Sequence, residues 1–238
     1  MSETMTSQRV ALTCAPAAAF GSLPAMGRVM TVVRGGTAAT HERIGPVETV
    51  TEKNGAFLLG GAAHDLRVTA AAIHRVVVDR SGRMRDRPLP RLEIEDAFGE
   101  VLFSVVALGG IEAFDAAVAP LGQGQPLPAR KRPSAPPSAP DEGIATEDAG
   151  QAFLEQVFAA GAPVTISLAT PHAVQRWTGT LVASRLAMGF VNLIDTSFHL
   201  HLRGGSVASW RKDAAGAWLA CDEAGAGFGL SVDMRGGA

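Results

Sequence analysis

Short aliphatic and β-branched runs, each stopped by Gly, Asp or Ser, recur along most of this chain. GRVMTVVRGG, FLLGGAAHDLRV, AIHRVVVDRSG, RLEIEDAFG and EVLFSVVAL fill the first half. APVTISLA, AVQRWTGTLV, GFVNLID, FHLHLR, SVASWRKD, AWLACDEAG and FGLSVDM fill the second. Such runs predict strands, and DRSG at 79–82 and DAFG at 96–99 read as hairpin turns between them. Two segments have helical spacing instead. In IEAFDAAVA, Ile111, Phe114 and Val118 recur with the helical period and Pro120 stops the run. In TEDAGQAFLEQVFAAG, Thr146 is the expected N-cap, Glu147 and Asp148 favour the first turn, Phe153, Val157 and Ala160 mark the buried stripe, and Gly161 closes it. The pattern predicts an α+β fold in which antiparallel strands outnumber helices.

The pattern breaks in PLGQGQPLPARKRPSAPPSAPDEG, which is rich in Pro, Ala, Gly and Ser and carries a basic cluster from Arg130 to Arg132. This composition reads as an extended linker. It divides the chain into 1–119, a linker over 120–147, and 148–238. The two halves are also alike. Residues 55–82 and 189–216 both run from a glycine through an aromatic and aliphatics to a polar turn and a Leu-Arg pair, Leu66-Arg67 in one and Leu202-Arg203 in the other. Seven residues later come His74 and Trp210. Landmarks in this order point to an internal duplication that pairs Arg67 with Arg203. A guanidinium at both places reads either as a solvent-facing residue or as a contact to an anionic ligand.

Composition narrows the function classes. Hydrophobic residues at 47% and charged residues at 18% fit a chain with a buried core, and a formal net charge of −2 gives no electrostatic case for nucleic acid. There is no tyrosine, which excludes a phenolic ligand or acid. Cys14 and Cys221 match no metal or redox spacing, so a reducing compartment is expected. MSETMTSQRV has acid and hydroxyl residues where a signal peptide carries basic ones, and no stretch approaches the ~20 apolar residues of a membrane span. A cytoplasmic protein with no membrane span is the expectation.

The candidate chemistry centres on FHLHLR. In a strand, His199 and His201 point one way while Phe198, Leu200 and Leu202 point the other. Two imidazoles on one face are candidate metal ligands, since neutral imidazole binds iron well. Arg203 can pair with a carboxylate or stand exposed. His41, His64 and His74 read as structural or surface residues, His172 as part of a solvent-facing turn, and Trp177 and Trp210 as core. GAGFG at 225–229 has no helix after it and fails as a dinucleotide fingerprint, and no nucleophile elbow or phosphate loop is present.

MGRVMTVVRGGTAATHERIG, HDLRV and GFVNLIDTSFHLHLRGGSVASW together resemble segments of the HemS/ChuS-type haem-utilisation proteins, and the F-H-x-H strand also resembles the related ChuX/HutX-type haem carriers. The resemblance spans about 26–119 and 148–238 and is densest in the last segment. It implies two repeats, each an antiparallel sheet flanked by helices, in a cytoplasmic protein that binds haem after import. Some members traffic haem with haem-import or haem-using partner proteins, and others degrade it. Carried over residue by residue, it places Arg67 on the iron side of haem. The ChuX/HutX-type strand offers the spacing of His199 and His201, either of which is then a candidate iron ligand, while Arg203 is a candidate propionate contact through a charge-assisted pair. The family's proximal histidine sits in a T-D-V-H-Q-F-F helix that has no counterpart here, and a forced alignment puts Gly150 at that place. The expectation is a shortened, divergent haem-binding member. A module that no longer binds haem and instead contacts proteins is the alternative, and a haem-degrading oxygenase the weaker one.

Overall fold

The computed structural model describes residues 8–130 and 147–235. It separates into two compact units, one formed by residues 1–31 and 45–132 and the other by 32–44 and 133–238. The second unit therefore takes in a piece of the first half of the chain. The change of unit falls inside the strands Arg28–Gly35 and Ala39–Pro46.

In the first unit, strands run in the order Gln125–Leu127, Arg9–Ala11, Arg75–Asp79, Arg91–Glu95 and Val101–Ala107, each antiparallel to the next. A second group is the meander Thr49–Lys53, Ala56–Gly60 and Asp65–Thr69. Alternation decides what each face carries. In RLEIE, Leu92 and Ile94 enter the core, while Glu93 and Glu95 project from the opposite face and are also buried. Arg9 Nη2 donates to Glu93 Oε2 at 3.0 Å and to Glu95 Oε1 at 2.9 Å, and Arg75 and Arg130 also pair with Glu95. Buried carboxylates persist because they are paired in this way. Phe20, in the helix Pro16–Gly21, lies 4.5 Å from Phe57 and 6.0 Å from Phe103 between ring centres. Phe114 and Val118 are buried from the helix Ile111–Val118, as the spacing predicts, with Ala117 beside them.

In the second unit, strand Ala39–Pro46 pairs with Phe198–Arg203, which pairs with Phe190–Ile194 and then Ser184–Ala187. The other group runs Ser209–Lys212, Trp218–Cys221, Gly227–Asp233, Val164–Ala169 and Ala173–Gly179. The helix Ala149–Ala160 starts at Asp148, whose carboxylate accepts from Gln151 N at 2.7 Å, and ends at Gly161 in the left-handed conformation. Thr146 lies outside the described residues, and the cap is Asp148. The buried stripe is Gly150, Leu154 and Val157. Phe153 instead lies against Trp210, 4.1 Å between ring centres, and Ala160 is exposed.

Three expectations change. Residues 131–146 of the expected linker lie outside the described residues, but Gln125–Leu127 within it is a strand paired with Arg9–Ala11. DAFG is the turn between Arg91–Glu95 and Val101–Ala107, whereas DRSG closes no hairpin. Its Asp79 is a buried strand residue, and the chain reaches Arg91–Glu95 only after the small hairpin of Arg83–Met84 with Arg87–Pro88. The equivalence of Arg67 with Arg203 also fails. Each unit contains a three-stranded meander, and its last turn is closed by Gly60 opposite Asp65 in one and Ile194 opposite His199 in the other. Counted from these matching loops, Arg67 takes the place of His201, and Arg203 takes that of Thr69. A slip of two residues keeps every side chain on its own face, so the hydrophobic pattern alone does not detect it.

Among the described residues no helix is long and apolar enough to cross a membrane.

Candidate functional site

The strand Phe198–Arg203 is built on alternation. Phe198, Leu200 and Leu202 are buried, and His199 and His201 stand half-buried on the opposite face. Phe198 stacks on Trp177 with ring centres 4.4 Å apart and tilts against His41 at 4.9 Å, which fixes the face turned to the core. The flanking strands then determine what the histidines meet. On one side His199 lies opposite Glu42 and His201 opposite Thr40; on the other, His199 lies opposite Ile194 and His201 opposite Asn192.

This register gathers a polar cluster. Glu42 Oε2 lies 3.3 Å from His199 Nδ1 and 3.6 Å from His201 Nε2. Burial tends to raise the Glu42 carboxyl, but hydrogen bonds from His199 and His201 outweigh it and hold the pKa down at about 2. Asn192, 8% exposed, orients the second histidine. Its Nδ2 donates to the backbone carbonyls of Phe190 at 3.0 Å, Arg185 at 3.2 Å and Ala187 at 3.3 Å. That leaves Oδ1 as the atom facing His201 Nδ1 at 2.6 Å. An amide oxygen only accepts, so Nδ1 carries the proton and Nε2 is the atom directed at Glu42. One ligand atom from each of Glu42, His199 and His201 lies within 4.8 Å of the others.

A cavity of about 520 Å³ opens beside the cluster. Glu42 and His201 reach it, Met188 and Phe190 give it apolar wall, and Arg34 and Arg185 add two guanidinium groups.

His41 neighbours Glu42 in sequence and faces the other way. It is fully buried, with Nε2 donating to the Ile166 carbonyl at 3.2 Å and Nδ1 accepting from Gln175 Nε2 at 3.0 Å. Gln175 Nε2 also donates to the His41 carbonyl at 2.8 Å, which fixes its own orientation. Burial, reinforced by the nearby Arg43, lowers the His41 pKa to about 3 against the opposing effects of the Ile166 bond and Glu42. His41 is a neutral structural residue, as the sequence suggests. His64 is likewise buried, 3.1 Å from Thr31 Oγ1 and 3.0 Å from the Gly45 carbonyl. His74 and His172 are exposed. Trp177 is core, and half-buried Trp210 donates from Nε1 to the Ala149 carbonyl at 3.1 Å.

Of the candidate residues, His199 and His201 come together. Arg203 lies at the exposed end of the same strand, opposite Phe190, and takes no part in the cluster. Arg67 belongs to the other unit, exposed on strand Asp65–Thr69 opposite Leu58. Glu42 and Asn192 complete the cluster and were not singled out in the sequence. Their signals were a carboxylate at the alternate position to His41 and a lone amide in the apolar run FVNLI. At Gly150, the place a forced alignment gives to the proximal histidine, a Cβ would meet Leu202 Cδ2 at 2.9 Å, Asp148 Oδ1 at 3.0 Å and Val207 Cγ2 at 3.3 Å. A side chain at this place fits only if Leu202 and its neighbours shift.

A scan against protein-family models finds no match, and a search of curated proteins finds none. Solved structures do match. Haem-bound PhuS, described as a haem-binding protein from Pseudomonas aeruginosa, aligns with a TM-score of 0.71 at 18% identity, over 97% of this chain and 82% of that one. Its haem-free form aligns at 0.69 and 18% identity, over 95% and 81%. ChuS, described as a haem oxygenase from E. coli, aligns at 0.70 and 17% identity, over 96% and 83%. The chain therefore has the fold of PhuS and ChuS, and the HemS/ChuS-type resemblance carried by T-H-E-R-I-G, H-D-L-R-V and F-H-L-H-L-R holds at the level of that fold.

Proposed function

We propose that this protein binds haem in the cytoplasm and hands it on after import. The observation that supports this most is the fold, shared over nearly the whole chain with one protein described as haem-binding and another described as a haem oxygenase. The chemistry of the cavity also suits haem. Apolar wall from Met188 and Phe190 fits a porphyrin face, and Arg34 and Arg185 fit its carboxylates. Arg67, which the resemblance gives to the iron side, and Arg203, whose guanidinium suits a propionate, remain candidate contacts, and neither lines this cavity. His199 or His201 becomes an iron ligand only by giving up Glu42. The matching meander loops support descent of the two units from one duplicated repeat.

One observation favours a second reading, a relative that has lost haem and serves as an interaction module. Gly150 admits a proximal histidine only if Leu202 and its neighbours shift, and both candidate histidines are already engaged. Haem degradation needs, beyond an axial ligand, an open distal face and electrons from a partner.

Titration of the purified chain with hemin tests the proposal. A saturable Soret shift at one equivalent, weakened in Arg67→Ala and Arg203→Ala, is expected. Absence of saturable binding by the wild type overturns it. Adding reductant and oxygen to the complex separates a carrier from an oxygenase, because only the latter loses its Soret band with release of iron.

A further inference from the structure

We propose that Glu42, His199 and His201 form a mononuclear site for a divalent first-row transition-metal ion, separate from any haem. One ligand atom from each of the three residues lies within 4.8 Å of the others, and the atoms facing each other are Glu42 Oε2, His199 Nδ1 and His201 Nε2. The separations from the carboxylate oxygen are 3.3 Å and 3.6 Å. Two ligands bound at ~2.0–2.1 Å in a tetrahedral arrangement stand about 3.3 Å apart, so these atoms already lie near coordination spacing.

Asn192 supplies an independent argument. Its amide is locked by three backbone carbonyls, so its oxygen receives the His201 Nδ1 proton. In the neutral ring, Nε2 then carries the lone pair and is the nitrogen turned toward Glu42, the form a metal ion takes up. An imidazole whose far nitrogen is held by an amide or carboxylate oxygen is the usual arrangement of a metal-bound histidine, with tautomer and ring angle set in advance.

Two histidines and one carboxylate leave coordination positions open. Glu42 and His201 line the cavity that also holds Arg34 and Arg185, so the open side suits a small anionic co-ligand. All three donors project from paired strands, a more rigid support than a loop. The site employs the two histidines without haem and leaves Arg67 as the proposed iron-side contact.

The test uses the full chain, haem-free and chelator-treated, titrated with cobalt(II) chloride. Saturable visible d–d bands at one equivalent are expected. Binding should be weakened by at least about tenfold in Glu42→Gln and His201→Ala and about 10–100-fold in Asn192→Ala, and unchanged in His172→Ala. Circular dichroism verifies that each variant is folded. Histidine 15N spectra of the wild type with and without Zn2+ need no variant, and the His201 Nε2 and His199 Nδ1 resonances should shift. No saturable band in the wild type, or equal binding by Glu42→Gln and His201→Ala, overturns the site. Hemin titration of the same proteins separates the two readings. Cobalt binding without hemin binding keeps the metal site and removes haem, whereas hemin binding that depends on His201, with no cobalt binding, assigns the histidines to haem iron instead.

Discussion

Asn192 Oδ1 lies 2.6 Å from His201 Nδ1, and that contact fixes which ring nitrogen meets Glu42. The same amide holds three backbone carbonyls around the Phe190–Ile194 strand. Replacing Asn192 by Ala removes these part-buried hydrogen bonds and should destabilise the fold by about 1 kcal/mol. Denaturant melts measure this, and an unchanged midpoint would show that the amide merely fills space.

His41 sets a pH dependence. Its folded pKa of about 3 lies below the ordinary histidine value of 6.5, so between these values the unfolded chain takes up a proton that the folded chain does not. Stability is therefore full above pH 6.5 and falls as pH drops toward 3, with a slope approaching about 1.4 kcal/mol per pH unit. Glu42, depressed from 4.5 to about 2, adds its own loss only below about pH 4.5. Glu93, raised by burial, contributes with the opposite sign, so the share of His41 is read from melts of wild type and His41→Leu side by side from pH 7 to 5. His41→Leu should be less stable at pH 7 and show a shallower slope; an equal slope would place the dependence elsewhere.

Gly150→His puts a histidine where the forced alignment with HemS/ChuS-type sequences would have one. The position is already crowded by Leu202, Asp148 and Val207, and overpacking of this kind costs about 1–3 kcal/mol. The variant should melt lower and leave the Soret maximum of a hemin complex where the wild type has it. A shifted maximum in a stably folded variant would mean the helix can present a ligand.

Glu95 is fully buried and paired with Arg9, Arg75 and Arg130. Glu95→Ala removes one of the two carboxylates that hold buried Arg9, which keeps its bond to Glu93, and should cost about 1–3 kcal/mol, read from chemical denaturation. Arg75 and Arg130 are each about one-third exposed, and their single Ala variants should cost less.

Alternation made the strands and their faces legible in the sequence. FHLHLR, RLEIE and the DAFG turn read correctly because each depends on neighbours a few residues away. Gln125–Leu127 did not, because Pro126 argues against a strand, yet it lies at a sheet edge where proline is tolerated. Glu42 was harder still. It meets His199 across 157 residues of chain, and only the register of two distant strands brings them together. The pairing of Arg67 with Arg203 misled for a related reason: residues two apart share a face, and only the hairpin loops show which of two equally patterned registers is real.

The most direct test is a pair of titrations, with cobalt(II) and with hemin, on a His199→Ala/His201→Ala double variant beside the wild type. The double variant should lose the cobalt d–d bands while retaining the wild-type Soret shift at one equivalent of hemin. Loss of hemin binding with cobalt binding unchanged would contradict it on both counts.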